Sequence, residues 1–195
     1  INPTQLIQNG ELKHLLRLNI KKFKYNKITK NQKQFVATPQ REWIKNDLYK
    51  DQIIKVENVL QTLQELSKFN RQQSSAKVIA LTGSNGKTST KELIKTVLEN
   101  KYDVVCTEGN LNNHIGVPLS LLKIKPDTEI AIIEMGANNF GEIDFLTKLI
   151  SPDIGYITNF GKAHLEGFKN IDGVIKGKTE LYRWILKNKK SILIN

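Results

Sequence analysis

The stretch Ala80–Leu93, ALTGSNGKTSTKEL, decides how this chain is read. It continues an apolar run, KVIALTG, that ends at Gly83, and it opens the segment TSTKELIKTVLENK, whose pattern predicts a helix with Leu93, Val97 and Leu98 facing inward. A strand, a glycine turn and a helix in that order direct backbone N–H groups and a helix N-terminus at one spot, where an anion is favoured. Lys87 adds a mobile positive charge there, and Thr88 a hydroxyl suited to Mg2+. The spelling departs from the common G-x-x-x-x-G-K-[ST] loop, because the position five residues before Gly86 is Leu81 and the nearest upstream glycine is Gly83. The missing glycine argues for a shorter loop rather than against phosphate.

Downstream of that loop the chain alternates short apolar runs with helical patterns. YDVVCTEG, EIAIIEMG, DIGYITNFG and SILIN read as strands, EIDFLTKLI as a short helix and GVIKGKTELYRWILKN as a longer one. Such alternation predicts an α/β fold with a mostly parallel sheet covered on both faces, and ligands in such sheets bind beyond the carboxyl ends of the strands. Upstream, Val56, Val59, Leu60, Leu63 and Leu66 form one helical stripe, followed by NRQQSSA without periodicity. This predicts a domain boundary near residue 76, with a small α/β N-terminal domain over 1–76 and the nucleotide-binding domain over 77–195. The start at Ile1 and the end just after an apolar run suggest a fragment of a longer protein.

Composition narrows the function classes. With 39% hydrophobic residues the chain can build a core, and its apolar runs fall far short of the roughly 20 residues that span a bilayer. Nothing in the sequence points outside the cytoplasm. A single cysteine, Cys106, excludes an internal disulfide and offers no metal pair. The net charge of +11 is concentrated in residues 1–76, which carry 14 Lys and Arg against 6 Asp and Glu. Solvated surface, attraction of an anionic small substrate and nucleic-acid contact are three readings of that surplus.

The loop Gly83, Ser84, Asn85, Gly86, Lys87, Thr88, Ser89 matches G-[ST]-x-G-K-[ST]-[ST], and with it the chain resembles the Mur ligases and their relatives. GNLNNHIGVPLSLL, EMGANNFGEI, TNFGKAHLEGF and GVIKGKTELY place the resemblance closest to the member that adds D-alanyl-D-alanine to UDP-N-acetylmuramoyl tripeptide. The resemblance implies a cytoplasmic, monomeric, ATP-dependent amide ligase acting through an acyl phosphate, with no nucleic-acid partner. It implies that the seven loop residues bind ATP and that Mg2+ occupies two sites. Thr88 and Glu134 would serve the first; His164 and Lys178, the latter carbamylated by CO2, would serve the second. Asn113 would lie at the phosphate and metal region, its amide donating to phosphate and its carbonyl facing a cation or water, while His114 is read as a loop residue.

Independently of the resemblance, Glu134 ends a buried strand, where a carboxylate suits a hard cation. Lys178 is expected near the N-terminus of a helix opening at Gly173, where the helix dipole disfavours an ammonium and desolvation favours the neutral amine. The N-terminal part lacks the uridine-contact stretch expected of the family, and the family's C-terminal domain is missing after Asn195. Rival readings are another Mur-type or folylpolyglutamate-type ligase, and a non-enzymatic nucleotide-binding module with a basic nucleic-acid-binding region.

Overall fold

The computed structural model describes residues 58–161 and 165–194. Its strands are β1 (Lys77–Thr82), β2 (Val104–Cys106), β3 (Ile130–Glu134), β4 (Ile154–Ile157) and β5 (Ser191–Leu193). They form one sheet in the order β2-β3-β1-β4-β5, and every neighbouring pair is parallel. The helices are α1 (Val59–Gln73), α2 (Lys87–Leu98), α3 (Gly116–Leu122), α4 (Glu142–Ile150), α5 (Leu165–Phe168), α6 (Ile171–Lys178) and α7 (Glu180–Lys187). All five strands lie where the apolar runs predict them. The expected α/β architecture is present over these residues, whereas the expected N-terminal domain falls largely outside them.

Strand alternation sorts the core. The register pairs Val78 with Ala131 and Ala80 with Ile133, and these side chains join Ile157 in one buried cluster. Val117 and Leu121 of α3, Ile143, Leu146 and Ile150 of α4, and Leu181 and Ile185 of α7 close over it. Each such aliphatic side chain contributes about 1.5–3 kcal/mol when fully buried. The opposite face, with Leu81 and Ile132, takes α2, which packs across β1, β2 and β3. Cover is therefore unequal among the described residues, with several helices on one face and α2 on the other.

Three expectations about helices need correction. Leu93 and Val97 do not face inward: each is 69% exposed, and the buried residue of α2 is Lys91. Lys91 is buried while Ile94 and Leu98 are partly buried, so the covered side of α2 is not the one its apolar period marks. The supposedly aperiodic segment after Phe69 is instead the last turn of α1, whose Asn70 amide donates to Leu121 O (2.8 Å) and Ile124 O (3.1 Å). Arg71 reaches Ile150 O, Ser151 O and Asp153 Oδ2 from the same turn. A docking surface made of hydrogen bonds leaves no hydrophobic period to read. Finally, the long helix expected from Gly173 opens earlier, at Ile171, where the Asn170 side chain accepts from Gly173 N, and it is interrupted at Thr179.

Candidate active site

The carboxyl ends of β1, β3 and β4 converge on the glycine loop. Gly83 has φ +153°, and a Cβ there would lie 1.8 Å from Thr158 Oγ1, so no side chain fits between the loop and the end of β4. Gly86, at φ +74°, takes the left-handed turn that starts α2. The segment Thr158–Gly161 braces the loop from below. Ser84 N donates to Asn159 O (3.1 Å), Asn85 N to Asn159 Oδ1 (3.0 Å), Ser84 Oγ to Gly161 O (3.0 Å) and Thr158 Oγ1 to Asn85 O (2.7 Å). The first backbone bond within α2 runs from Thr90 N to Gly86 O, and no side chain caps the helix. Its opening N–H groups, from Lys87 to Ser89, therefore have no intrahelical acceptor and form an anion-favouring end.

Two oxygen donors meet beside that end. Thr88 Oγ1 donates to Glu134 Oε2 at 3.1 Å, bringing the expected hydroxyl and carboxylate together across 46 residues of sequence. Glu134 is 1% exposed, and its partners through Oε1 and N–H are Asn112 Nδ2 (2.8 Å) and Thr107 Oγ1 (3.0 Å). Its carboxylate is thus held by a hydroxyl and an amide, with no cation among these contacts. A hard divalent ion fits this donor set, since Mg2+ takes one or two protein oxygens and fills its remaining positions with water and phosphate. Among the described residues no group of three or more His, Cys, Asp or Glu stands ready to enclose a metal.

Lysines supply the positive charge. Lys87 Nζ folds over the loop and donates to Gly83 O (2.9 Å) and Ser84 O (3.3 Å). Lys178 is 1% exposed, with its Nζ 5.8 Å from the centre of the Phe168 ring. Burial, helped by the charge of Lys87, pushes its pKa down to about 8. Lys178 is the last residue of α6, with Thr179 between it and α7, and not a residue of a helix N-terminus as expected, so the helix dipole does not account for its depressed pKa and burial does. Asn113 differs from expectation in one respect. Its Oδ1 accepts from Ile115 N (3.0 Å) and Gly116 N (2.9 Å) at the entrance to α3, so its carbonyl is committed to the fold. His114 is an exposed loop residue, as read. His164 lies outside the described residues.

Comparison with known proteins agrees with this geometry. The Mur ligase middle domain family matches residues 81–195. The chain belongs to the Mur ligase family. It is 41% identical over 144 residues to the UDP-N-acetylmuramoyl-tripeptide–D-alanyl-D-alanine ligase of Rickettsia prowazekii, covering 74% of this chain and 32% of that protein. To the Bacillus subtilis ligase of the same name it is 45% identical over 129 residues, covering 66% and 28%. Among solved structures, MurF from Acinetobacter baumannii superposes with a TM-score of 0.65 at 42% identity, over 67% of this chain and 29% of that one. MurF from Thermotoga maritima in complex with ADP gives 0.63 at 33% identity, over 77% and 33%. The chain spans about a third of the length of the curated relatives it matches.

Within this Mur ligase domain, the motif reading missed two residues that touch the Thr88–Glu134 pair or its support. Asn112, one position before Asn113, is the asparagine that reaches Glu134 and whose carbonyl accepts from Gly136 N (2.8 Å). Both asparagines belong to the same loop, and only the turn geometry decides which one faces the strand end. Lys91 is the other, sitting in a helix position that periodicity assigns to solvent.

Proposed function

We propose that this chain is the nucleotide-binding core of an ATP-dependent amide ligase of peptidoglycan precursor synthesis, one that adds D-alanyl-D-alanine to UDP-N-acetylmuramoyl tripeptide. The observation that carries the reading is the contact of Thr88 with Glu134 beside the uncapped start of α2. The names of the relatives supply the substrate class. ATP, when bound, supplies the leaving group that turns the tripeptide carboxylate into an electrophile, by way of an acyl phosphate that the incoming amine opens. The residues of this chain have the tasks of holding phosphate and offsetting charge. The loop from Gly83 to Ser89 would receive the phosphates through the N–H groups of Lys87 to Ser89, those of Ser84 and Asn85 being engaged with Asn159, and Lys87 would turn from the loop carbonyls to phosphate oxygen. Thr88 and Glu134 hold a first Mg2+.

A second Mg2+ belongs to His164 and Lys178 in the same reading. Lys178 has the property that carbamate formation needs, a buried amine whose neutral form is accessible near neutral pH. Reaction of that neutral amine with CO2 forms an N–C bond and releases one proton, leaving an anionic oxygen ligand. Asn113 keeps its amide nitrogen for phosphate, its carbonyl being engaged in the turn. The same proposal assigns residues 1–76 to a domain for the UDP end of the substrate. It also gives the protein a cytoplasmic location, a monomeric state and no nucleic-acid partner. No helix among the described residues is long and apolar enough to cross a membrane.

The test is phosphate release by the full-length protein with ATP, Mg2+, UDP-linked tripeptides and D-Ala-D-Ala, with the pentapeptide product identified by mass spectrometry. Release that depends on a different amine would assign the domain to another ligase of the family. Steep salt-dependent binding of generic DNA or RNA, without ligation, would replace the enzyme by a binding module.

A further inference from the structure

Lys91 is 0% exposed, yet the chemistry assigned above makes no use of it. Its Nζ donates to the backbone carbonyl of Thr107, just past β2, and lies 3.0 Å from Glu92 Oε1. Thr88 lies three residues back along α2, on the same side of the helix. Thr107 closes a circuit between them. Its hydroxyl accepts from Glu134 N at 3.0 Å and its own N–H donates to Ile132 O at 3.0 Å. Helix α2 is thus tied to the end of β3 twice, once through Thr88 and Glu134 and once through Lys91 and Thr107.

Packing alone does not choose a lysine for this place. Burying an ammonium is costly unless it is fully hydrogen-bonded, and an apolar side chain would fill the space at less cost. The same helix leaves Leu93 and Val97 in solvent. What a lysine adds is a directional bond between helix and strand-end loop, and such a bond fixes how α2 sits along β3. That matters for a small cation, because Mg2+ demands near-ideal octahedral geometry.

We propose that Lys91 and Thr107 are positioning residues for the Thr88–Glu134 pair, setting the separation of the hydroxyl and the carboxylate that a nucleotide-bound divalent cation uses. The inference rests on the Mg2+-nucleotide reading of the site. The test titrates Mg2+ into the full chain with a fluorescent ADP analogue, beside a parallel titration in EDTA. Lys91→Met keeps the stem and removes the ammonium. It is expected to leave ADP affinity in EDTA unchanged within about twofold and to raise the Mg2+ concentration for half-maximal effect about 10-fold or more, as loss of groups that orient metal ligands does. Thr107→Val is expected to shift the Mg2+ requirement in the same direction, and Thr107→Ser, which keeps the hydroxyl, to restore it.

Equal weakening of ADP binding with and without Mg2+ would show a merely structural role and overturn the proposal. So would an unchanged Mg2+ requirement in folded Lys91→Met, or identical behaviour of Thr107→Val and Thr107→Ser. The Thr107 pair decides the matter if Lys91→Met does not fold. A wild-type chain whose ADP binding ignores Mg2+ would remove the proposed function and this inference together, whereas a normal wild type with unaffected variants removes the inference alone.

Discussion

Glu134→Gln separates what the carboxylate does for the fold from what it does for a cation. In the structure Oε2 accepts from Thr88 Oγ1 and Oε1 from Asn112 Nδ2, so a glutamine can place its oxygen toward Asn112 and its amide toward Thr88, whose hydroxyl turns to accept. Both hydrogen bonds survive, and the group that is 1% exposed loses a charge that these neutral partners do not compensate. The stability change without ligand should stay within about 1 kcal/mol, with the variant equal or more stable, and Tm should move by no more than about 4 °C. Metal-assisted binding should behave differently. Removing one charge from a buried pair costs about 2–5 kcal/mol, which is roughly 30-fold to a few thousand-fold in affinity. Calorimetric titration of ADP with and without Mg2+ reads this directly, beside thermal melts in EDTA. Tight Mg-dependent ADP binding by Glu134→Gln would refute the metal assignment. A Tm drop of the size produced by a core cavity would show that the carboxylate is structural.

Lys87→Ala should leave the melt nearly unchanged, because the ammonium meets only loop carbonyls, and should lower ATP turnover of the full-length protein by about 100-fold or more; retained turnover sinks the loop's assignment. Lys178→Ala should be nearly inactive and partly rescued by formate or acetate, whereas rescue by alkylamines would show that a cation was wanted. In bicarbonate-free buffer, the depressed pKa of Lys178 means the unfolded chain binds more protons between about pH 8 and its ordinary value near 10.4, so wild-type stability should rise across that window relative to Lys178→Met. A parallel pH course for the two proteins in chemical denaturation would contradict it. At the other end of the sheet, burial alone would raise the Asp153 pKa, but bonds from Lys190 and Val78 N–H and the charges of Lys190 and Arg71 outweigh it and hold it low. Asp153→Asn should cost roughly 2 kcal/mol at neutral pH, and the gap to wild type should close as pH falls below about 4, where the unfolded carboxyl protonates; a constant gap across that range would rule the charge out as the cause.

The sheet was legible because each strand is a short apolar run ended by a turn residue, and the loop because its glycines fall where strand β1 must become helix α2. Thr88 and Glu134 could be paired in advance through the family resemblance, and the fold agrees because the helix that follows β1 starts beside the carboxyl end of β3 in one parallel sheet. Helix facing was harder to read. In α2 the apolar Leu93 and Val97 point outward while Lys91 points in, and in α1 the contacts of the last turn come from Asn70 and Arg71. Hydrophobic periodicity registers burial of apolar surface and is blind to helices oriented by hydrogen bonds. The position of Lys178 at the C-terminal end of α6 was missed for a related reason: Thr179 keeps helical dihedrals and its N–H donates to Ile175 O, so the chain passes from α6 to α7 without a local turn signal.

The two ends of the sheet carry opposite electrostatic arrangements. At the amino end, Asp153 accepts from Val78 N at the start of β1 and pairs with Arg71 (3.1 Å) and with Lys190 (2.8 Å), just before β5, so its charge is matched and binds α1, β1, β4 and β5 together. At the carboxyl end, Glu134 is held by neutral donors, Lys178 is buried against an aromatic ring, and Lys87 faces Lys178 with like charge. Charges left this way cost stability in the isolated domain. The cost falls when an anion arrives with its cation, since phosphate meets the lysines and Mg2+ meets the carboxylate. A domain built so should be stabilised by Mg-nucleotide more than by either component alone, because each component satisfies only one sign of the charge waiting there.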